Sequence, residues 1–87
     1  MPCRVLFIPA AEKQLGKLSR DAQMRIVQAI AGLANDPRPY GCRKLAGREA
    51  EHRIRIGDYR VVYTINDSAK EVVIKIIADR KEVYRRR

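Results

Sequence analysis

The spacing of apolar residues is helical in the first half of the chain and strand-like in the second half. Residues 4–8 form a short apolar run that Pro9 ends, which predicts a first strand. From residue 10 to residue 18, Ala11, Leu15 and Leu18 recur at helical spacing. This spacing predicts a short helix that buries one stripe.

A second helix is predicted from Ser19 to about Asn35. Ser19 is a suitable N-cap, and the Asp36-Pro37 pair prevents the helix from continuing. Five apolar residues are expected on its inner face: Ile26, Val27, Ile30, Leu33 and Ala34. Residues 36–47 hold two prolines and two glycines without a clear period, so they are predicted to form a connecting loop that carries Arg38, Arg43 and Lys44.

The most specific local signal is a hairpin around Gly57-Asp58. Two alternating runs flank this pair, and a glycine at the first central position suits a two-residue type II′ turn. The predicted pairs are Ile56 with Tyr59, Arg55 with Arg60, Ile54 with Val61, and Arg53 with Val62. Because paired residues share a side of the sheet, Arg53, Arg55 and Arg60 should all point to one side.

The opposite side of this hairpin should supply the core, through Ile54, Ile56, Tyr59, Val61 and Tyr63. On the arginine side, Arg55 and Arg60 face each other as like charges, which is unfavourable where good cross-strand pairs contribute roughly 0.2–1 kcal/mol. An anionic ligand would relieve this repulsion. The alternative is a solvated face on which the long arginine stems extend into water.

The last predicted strand, residues 71–78, is rich in β-branched residues and should lie inside the sheet. The element order β-α-α-β-β-β indicates an α+β fold. Two N-terminal helices are expected to pack on one face of a small, mainly antiparallel sheet. The other face would then display the arginines.

Length and charge restrict the class of protein. A chain of 87 residues is expected to be a single domain, 1–87. Its formal net charge of +9 predicts a polyanionic partner, such as nucleic acid or an acidic protein, with a membrane surface the weakest alternative. No signal peptide or membrane span is visible, which predicts the cytoplasm.

Metal-dependent and nucleophilic mechanisms have little support in the sequence. One histidine, His52, and two distant cysteines, Cys3 and Cys42, offer no metal ligand set or catalytic triad, so no cofactor is expected. Arginine, lysine and tyrosine remain, and these suit metal-free chemistry on RNA, where a substrate 2′-hydroxyl can act as nucleophile. Tyr84 is the candidate base, because nearby positive charges favour its phenolate. The alternative is that its ring only packs at the sheet edge.

The chain also resembles a known family through three elements: Leu45-Ala46-Gly47, Gly57-Asp58-Tyr59-Arg60, and Arg80 followed four residues later by Tyr84. Together these elements resemble the RelE/ParE toxin superfamily, and the RelE branch more closely. RelE-like toxins are ribosome-dependent endoribonucleases that cleave mRNA in the ribosomal A site and are silenced by a cognate antitoxin. The expected partners are therefore an antitoxin, the ribosome with its rRNA, and mRNA, with operator DNA reached only through the antitoxin.

The resemblance also implies roles for individual residues. Arg60 would stabilise the transition-state phosphate, Arg80 would act as general acid and Tyr84 as general base. RNA or phosphate binding falls to the remaining cations of the site: Arg53, Arg55, Lys81, Arg43 and Lys44. The implied products are a 2′,3′-cyclic or 3′-phosphate and a 5′-hydroxyl.

Two departures from the family pattern qualify the resemblance. Val83 stands where some members carry a histidine, which excludes the histidine-dependent mechanism. Only three arginines follow Tyr84, whereas several relatives continue into a helix that the antitoxin displaces. These arginines are expected to be a basic arm for rRNA or a frayed end. Two other functions stay open: a ParE-like toxin that binds DNA gyrase, and an RNA-binding module without activity.

Overall fold

A computed structural model of the chain describes residues 3–39, 43–44 and 51–79. Two helices, α1 (Pro9–Gly16) and α2 (Arg20–Leu33), follow the first strand, β1 (Arg4–Phe7). The other strands are β2 (Arg43–Lys44), β3 (Glu51–Ile56), β4 (Tyr59–Asn66) and β5 (Glu71–Asp79). The α+β fold and the two N-terminal helices are as predicted.

The five strands form one sheet in the order β1-β5-β4-β3-β2. The pairs from β5 to β2 are antiparallel, whereas β1 runs parallel to β5. β5 is thus an interior strand, as its nearly continuous apolar sequence predicts. The parallel pair is possible because both helices lie between β1 and the other strands along the chain and supply the crossover connection.

The prediction that residues 36–47 form a connecting loop is wrong at residues 43–44. Arg43 and Lys44 form β2, with Arg43 opposite Arg53 and Lys44 opposite His52. Two residues are too short to show an alternating pattern, and their strand exists only because β3 offers an edge for pairing.

The core lies between the helices and one face of the sheet. It is built from α-helical residues such as Ile26 and Ile30 and from sheet residues such as Val61, Ile74 and Ile77. The prediction that Val27 lies on the inner face is wrong, because 46% of its surface is exposed. Successive helical residues point about 100° apart, and the neighbouring Ile26 occupies the centre of the buried stripe.

A buried tyrosine ties the end of α2 to the sheet. The side chain of Tyr63 is fully buried, and its hydroxyl donates a 2.8 Å hydrogen bond to the carbonyl of Pro37. Its ring stacks on that of His52, with centroids 5.8 Å apart. The core position predicted for Tyr63 is confirmed, and His52 is part of the same buried layer.

Ser19 is the N-cap of α2, as predicted. Its Oγ accepts a 3.2 Å hydrogen bond from the backbone N–H of Ala22. The Ser19→Ala variant should therefore lower the free energy of unfolding by about 0.5–2 kcal/mol, measured by urea denaturation. Ser68→Ala, in the exposed turn between β4 and β5, is the matched control and should leave that free energy unchanged. An equal free energy of unfolding for the two variants would contradict the capping role of Ser19.

Candidate nucleic-acid interface

The β3–β4 hairpin has the register that the sequence predicts. Gly57 has a φ of +61°, as the first central position of a type II′ turn requires, and Asp58 does not share this conformation. The observed Cα partners are Ile56 with Tyr59, Arg55 with Arg60, Ile54 with Val61, and Arg53 with Val62. Pairing and side-chain alternation therefore place Arg53, Arg55 and Arg60 on one face of the sheet. We call these three residues the arginine cluster.

The arginine cluster lies on the face opposite the helices. Ile54 and Val61, which alternate with its members, are buried in the core between sheet and helices. Arg55 is exposed, whereas Arg53 and Arg60 are half-buried. The core side predicted for Ile54, Ile56, Tyr59 and Val61 is confirmed, since Ile56 and Tyr59 pack against the same core.

Arg60 is the central member of its row across the sheet. On one side its partner is Arg55, and on the other its partner is Ala78 of β5. The Nε atom of Arg60 is inaccessible to solvent, and Ala78 is buried although its position belongs to the open face. Arg60 is therefore partly enclosed by the sheet surface, whereas the side chain of Arg55 is exposed.

Charge is separated along the open face. The ion pair between Arg4 and Glu71, with a 2.6 Å contact, lies where β5 begins, at the end of the sheet away from the Gly57 turn. A second pair joins Arg38 to Asp67 at 2.9 Å, beyond the end of β4. The hydrogen bond and charge of Arg38 hold the pKa of the Asp67 carboxyl below its usual value. The arginine cluster is at the opposite end, where Arg55 has no ion pair with a described residue.

A β-bulge brings a cation that the sequence analysis did not select. The β4–β5 register shifts between Val62 and Tyr63, whose partners are Ile76 and Ile74, so Lys75 is the extra residue. Ile74 and Ile77 are both buried, while Lys75 is half-buried and Ile76 exposed. Lys75 therefore lies between the pairs Val62–Ile76 and Tyr63–Ile74, three residues before Ala78, the partner of Arg60. A regular register would instead have paired Lys75 with the buried Tyr63. The position of Lys75 at the bulge is therefore known only from the structure.

Arg25 of α2 also approaches the hairpin. A Cβ atom added to Gly57 would lie 3.6 Å from Nη1 of Arg25, which puts this guanidinium against the turn. Helical spacing makes Arg25 an outer-face residue, but nothing in the sequence shows that this face meets the hairpin tip.

The remaining predicted site residues are only partly covered by the structure. Arg43 and Lys44 are described as the strand β2, with Arg43 at a position opposite Arg53 of the arginine cluster. Arg80, Lys81 and Tyr84 lie outside the described residues, as do Cys42 and Val83. The described part of the chain therefore contains the arginine cluster. Arg80, the proposed acid, is the first residue after β5, and Tyr84, the proposed base, follows four residues later.

Metal sites and membrane spans are both absent from the described ranges. No group of three or more His, Cys, Asp or Glu residues there is arranged to hold a metal ion. No helix in those ranges is long and apolar enough to cross a membrane.

Comparison with known proteins identifies the family. The model of the family described as the ParE toxin of type II toxin–antitoxin systems, parDE, matches residues 5–84. Toxin RelE of Mycobacterium tuberculosis (strain ATCC 25618 / H37Rv) is 35% identical over 85 residues, covering 97% of this chain and 88% of that toxin. Toxin RelG of the same strain is 34% identical over 90 residues, covering 99% of this chain and 100% of that toxin.

Solved structures share the fold. The chain superposes with a TM-score of 0.81 and 29% identity on a chain of the archaeal RelE–RelB complex from Pyrococcus horikoshii OT3, covering 92% of this chain and 97% of that one. The toxin–antitoxin complex RelBE2 from Mycobacterium tuberculosis gives a TM-score of 0.80 at 29% identity, covering 92% and 100%. The chain thus belongs to the RelE/ParE superfamily of type II toxin–antitoxin toxins, as a toxin of RelE type. The family resemblance seen in the sequence is confirmed.

Proposed function

We propose that this toxin is a ribosome-dependent endoribonuclease that cleaves mRNA in the ribosomal A site and thereby inhibits translation. The observation that carries the proposal is the arginine cluster, three guanidinium groups that the hairpin register gathers on the open face of the sheet. Positive charge concentrated on one face favours a bound polyanion, and RNA phosphates have the charge and geometry that guanidinium groups bind best. The RelE-type relatives support RNA rather than another polyanion as the target.

The proposed reaction needs no metal. The 2′-oxygen of the nucleotide before the cut attacks the adjacent phosphorus while Tyr84 accepts the 2′-hydroxyl proton. The bond from phosphorus to the 5′-oxygen breaks, and Arg80 gives that oxygen its proton. A 2′,3′-cyclic phosphate and a 5′-hydroxyl result, so atoms and charge balance without a cofactor. Addition of water to the phosphorus of the cyclic product, with cleavage of its bond to the 2′-oxygen, then gives a 3′-phosphate and restores the 2′-hydroxyl.

Arg60 has the electrostatic role in this scheme. Negative charge grows on the non-bridging phosphate oxygens as the 2′-oxygen attacks, and a fixed cation stabilises this charge without reorganisation. The Nε atom of Arg60 is buried, which limits the movement of its guanidinium, whereas the exposed Arg55 can follow the RNA backbone. We assign Arg53, Arg55, Lys81, Arg43 and Lys44 to RNA binding, and add Lys75.

We further propose that a cognate antitoxin silences the toxin in the cytoplasm. Two of the similar solved structures are complexes of a toxin with its antitoxin. A protein with a formal charge of +9 favours an acidic or amphipathic antitoxin segment. Operator DNA would be reached only through that antitoxin.

Mapping of mRNA ends tests the proposal. The toxin is induced in cells with and without its antitoxin, and 5′ ends are mapped on ribosome-bound messages. We expect new ends in phase with codons, 5′-hydroxyl termini, and suppression of both by the antitoxin. Uncut messages would contradict the proposal.

The second candidate is inhibition of DNA gyrase, because the matching family model is that of ParE toxins. A toxin that only binds gyrase does not need the arginine cluster, Arg80 and Tyr84 together. Intact messages alongside gyrase stalled on DNA would favour this candidate, whereas codon-phased cuts with normal gyrase activity would exclude it.

A further inference from the structure

One glutamine of α1 is hydrogen-bonded to the backbone of β5. The Oε1 atom of Gln14 accepts a 2.8 Å hydrogen bond from the N–H of Ile77, a residue 63 positions later in the chain. The Gln14 side chain is half-buried, and α1 packs against β5. This bond joins the first helix to the part of the last strand that lies beside Arg60.

The hydrogen bond from Ile77 to Gln14 takes the place of strand pairing beyond the end of β1. The last β1–β5 pair is Phe7 with Ile74, and the N–H of Ile8 donates to the carbonyl of Ile74 before the chain turns into α1. β5 continues to Asp79 with β4 on its other side. The Ile77 N–H therefore points to where β1 would have continued. A buried N–H left without a partner there would cost about 1–3 kcal/mol.

This part of β5 also follows the bulge at Lys75. Beyond the bulge, Ile77 pairs with Val61 and Ala78 pairs with Arg60. Since β1 no longer pairs with this segment, its backbone neighbours in the plane of the sheet are β4 on one side and the Gln14 side chain on the other, while the Ile77 side chain packs in the core. Arg80 follows only three residues after Ile77 in the sequence.

We propose that Gln14 is a positioning residue for the cleavage site. By fixing Ile77, it sets the place of Ala78 beside Arg60. The inference rests on the proposed endoribonuclease function. Its physical basis is that misplacement of a reacting group by about 1 Å can lower a rate on the order of 10²-fold.

Three variants test this role. Gln14→Leu removes the acceptor at similar size, and Gln14→Glu keeps an oxygen that can accept from Ile77. Gln23→Leu is the matched control, because the Nε2 atom of Gln23 donates to the carbonyls of Leu15 and Leu18, between the two helices, and to none in the described part of β5. The measurements are kcat and KM on programmed ribosomes, the thermal midpoint, and hydrogen exchange of the Ile77 amide.

We expect Gln14→Leu to lower kcat by about 10- to 100-fold with KM nearly unchanged, and to speed exchange of the Ile77 amide. For Gln14→Glu, both kcat and the exchange rate of the Ile77 amide should stay within about threefold of their wild-type values. Gln23→Leu should lower the thermal midpoint without changing kcat. A Gln14→Leu variant with wild-type kcat, or with a loss no larger than that of Gln23→Leu, would overturn the inference.

The failure of the inference can be told apart from that of the proposed function. If the wild-type toxin cuts no ribosome-bound mRNA, the endoribonuclease proposal fails, and the positioning of its cleavage site fails with it. If the wild type cuts and Gln14→Leu cuts equally well, only the positioning role fails. Unchanged exchange at Ile77 in Gln14→Leu would also overturn it, because the bond would then not hold this strand.

Discussion

Replacement of Arg60 by alanine is expected to lower the rate of mRNA cleavage on the ribosome by about 10²–10³-fold. The reason is the position of Arg60 between Arg55 and Ala78, with an Nε atom that solvent does not reach. A cation held in this way can stabilise charge that develops in the transition state. The measurement is single-turnover cleavage with saturating ribosomes, so that a change in binding does not obscure the chemical step.

Three variants control for charge and geometry. Arg86→Ala removes the same charge from the end of the chain and should lose far less activity. Arg55→Ala removes the cross-strand partner of Arg60, and its loss should appear mainly in ribosome binding and its salt dependence. Arg60→Lys keeps the charge but not the planar guanidinium, and should recover only part of the rate.

The Arg60→Ala protein should remain folded, because Arg60 is not part of the core between helices and sheet and its replacement also removes one of two like charges that face each other. Circular dichroism and binding to the antitoxin check this. Equal losses from Arg60→Ala and Arg86→Ala would mean that charge acts only in bulk, and the transition-state role of Arg60 would be wrong.

The hairpin could be predicted in full because two independent signals agree. The alternation of Arg53, Ile54 and Arg55 sets which residues share a face, and Gly57 sets where the chain reverses. A shift of one residue would move every arginine into the core, so the register has little freedom. The arginine cluster could therefore be predicted from the sequence and is confirmed by the structure.

Other features depend on tertiary contacts that no local pattern contains. The strand at Arg43–Lys44 needs the edge of β3, and the bulge at Lys75 resolves a conflict between the burial of Ile74 and that of Ile77. The Gln14 bond spans most of the chain. Such features follow from the fit of helices onto a finished sheet, which explains why sequence analysis omitted Lys75 and Gln14.

The roles of Arg80, Lys81 and Tyr84 have a different basis. Their sequence context is charged and irregular, and it supplies neither a period nor a turn that would fix their positions. The roles of Arg80 and Lys81 come from the family resemblance, which also supports the candidate base that the cationic context of Tyr84 indicates, and the family itself is confirmed by its match to residues 5–84. Their chemistry stays a prediction that mutation of Tyr84 addresses directly.

Replacement of Tyr84 by phenylalanine is expected to lower the cleavage rate by about 10²–10⁴-fold, the contribution of a positioned general base. The change removes only the phenolic oxygen and keeps the ring. Binding to ribosomes and antitoxin should therefore stay within about twofold, because both interactions depend on charge and packing that the variant retains. Single-turnover cleavage and a ribosome-binding measurement, made on the same preparation, check the two expectations.

The pH dependence gives this variant a second, independent readout. Positive charges near a tyrosine favour its phenolate, so a wild-type reaction that uses Tyr84 as base should become faster as the pH rises and the phenolate fraction increases. The Tyr84→Phe variant should lose this rise, because no phenolate can form. If Tyr84 only packs its ring at the sheet edge, phenylalanine preserves that packing, and both the rate and its pH profile should match wild type. That outcome would exclude Tyr84 as the base and leave the arginine cluster as an RNA-binding surface whose proton acceptor lies elsewhere, in the substrate or in the ribosome.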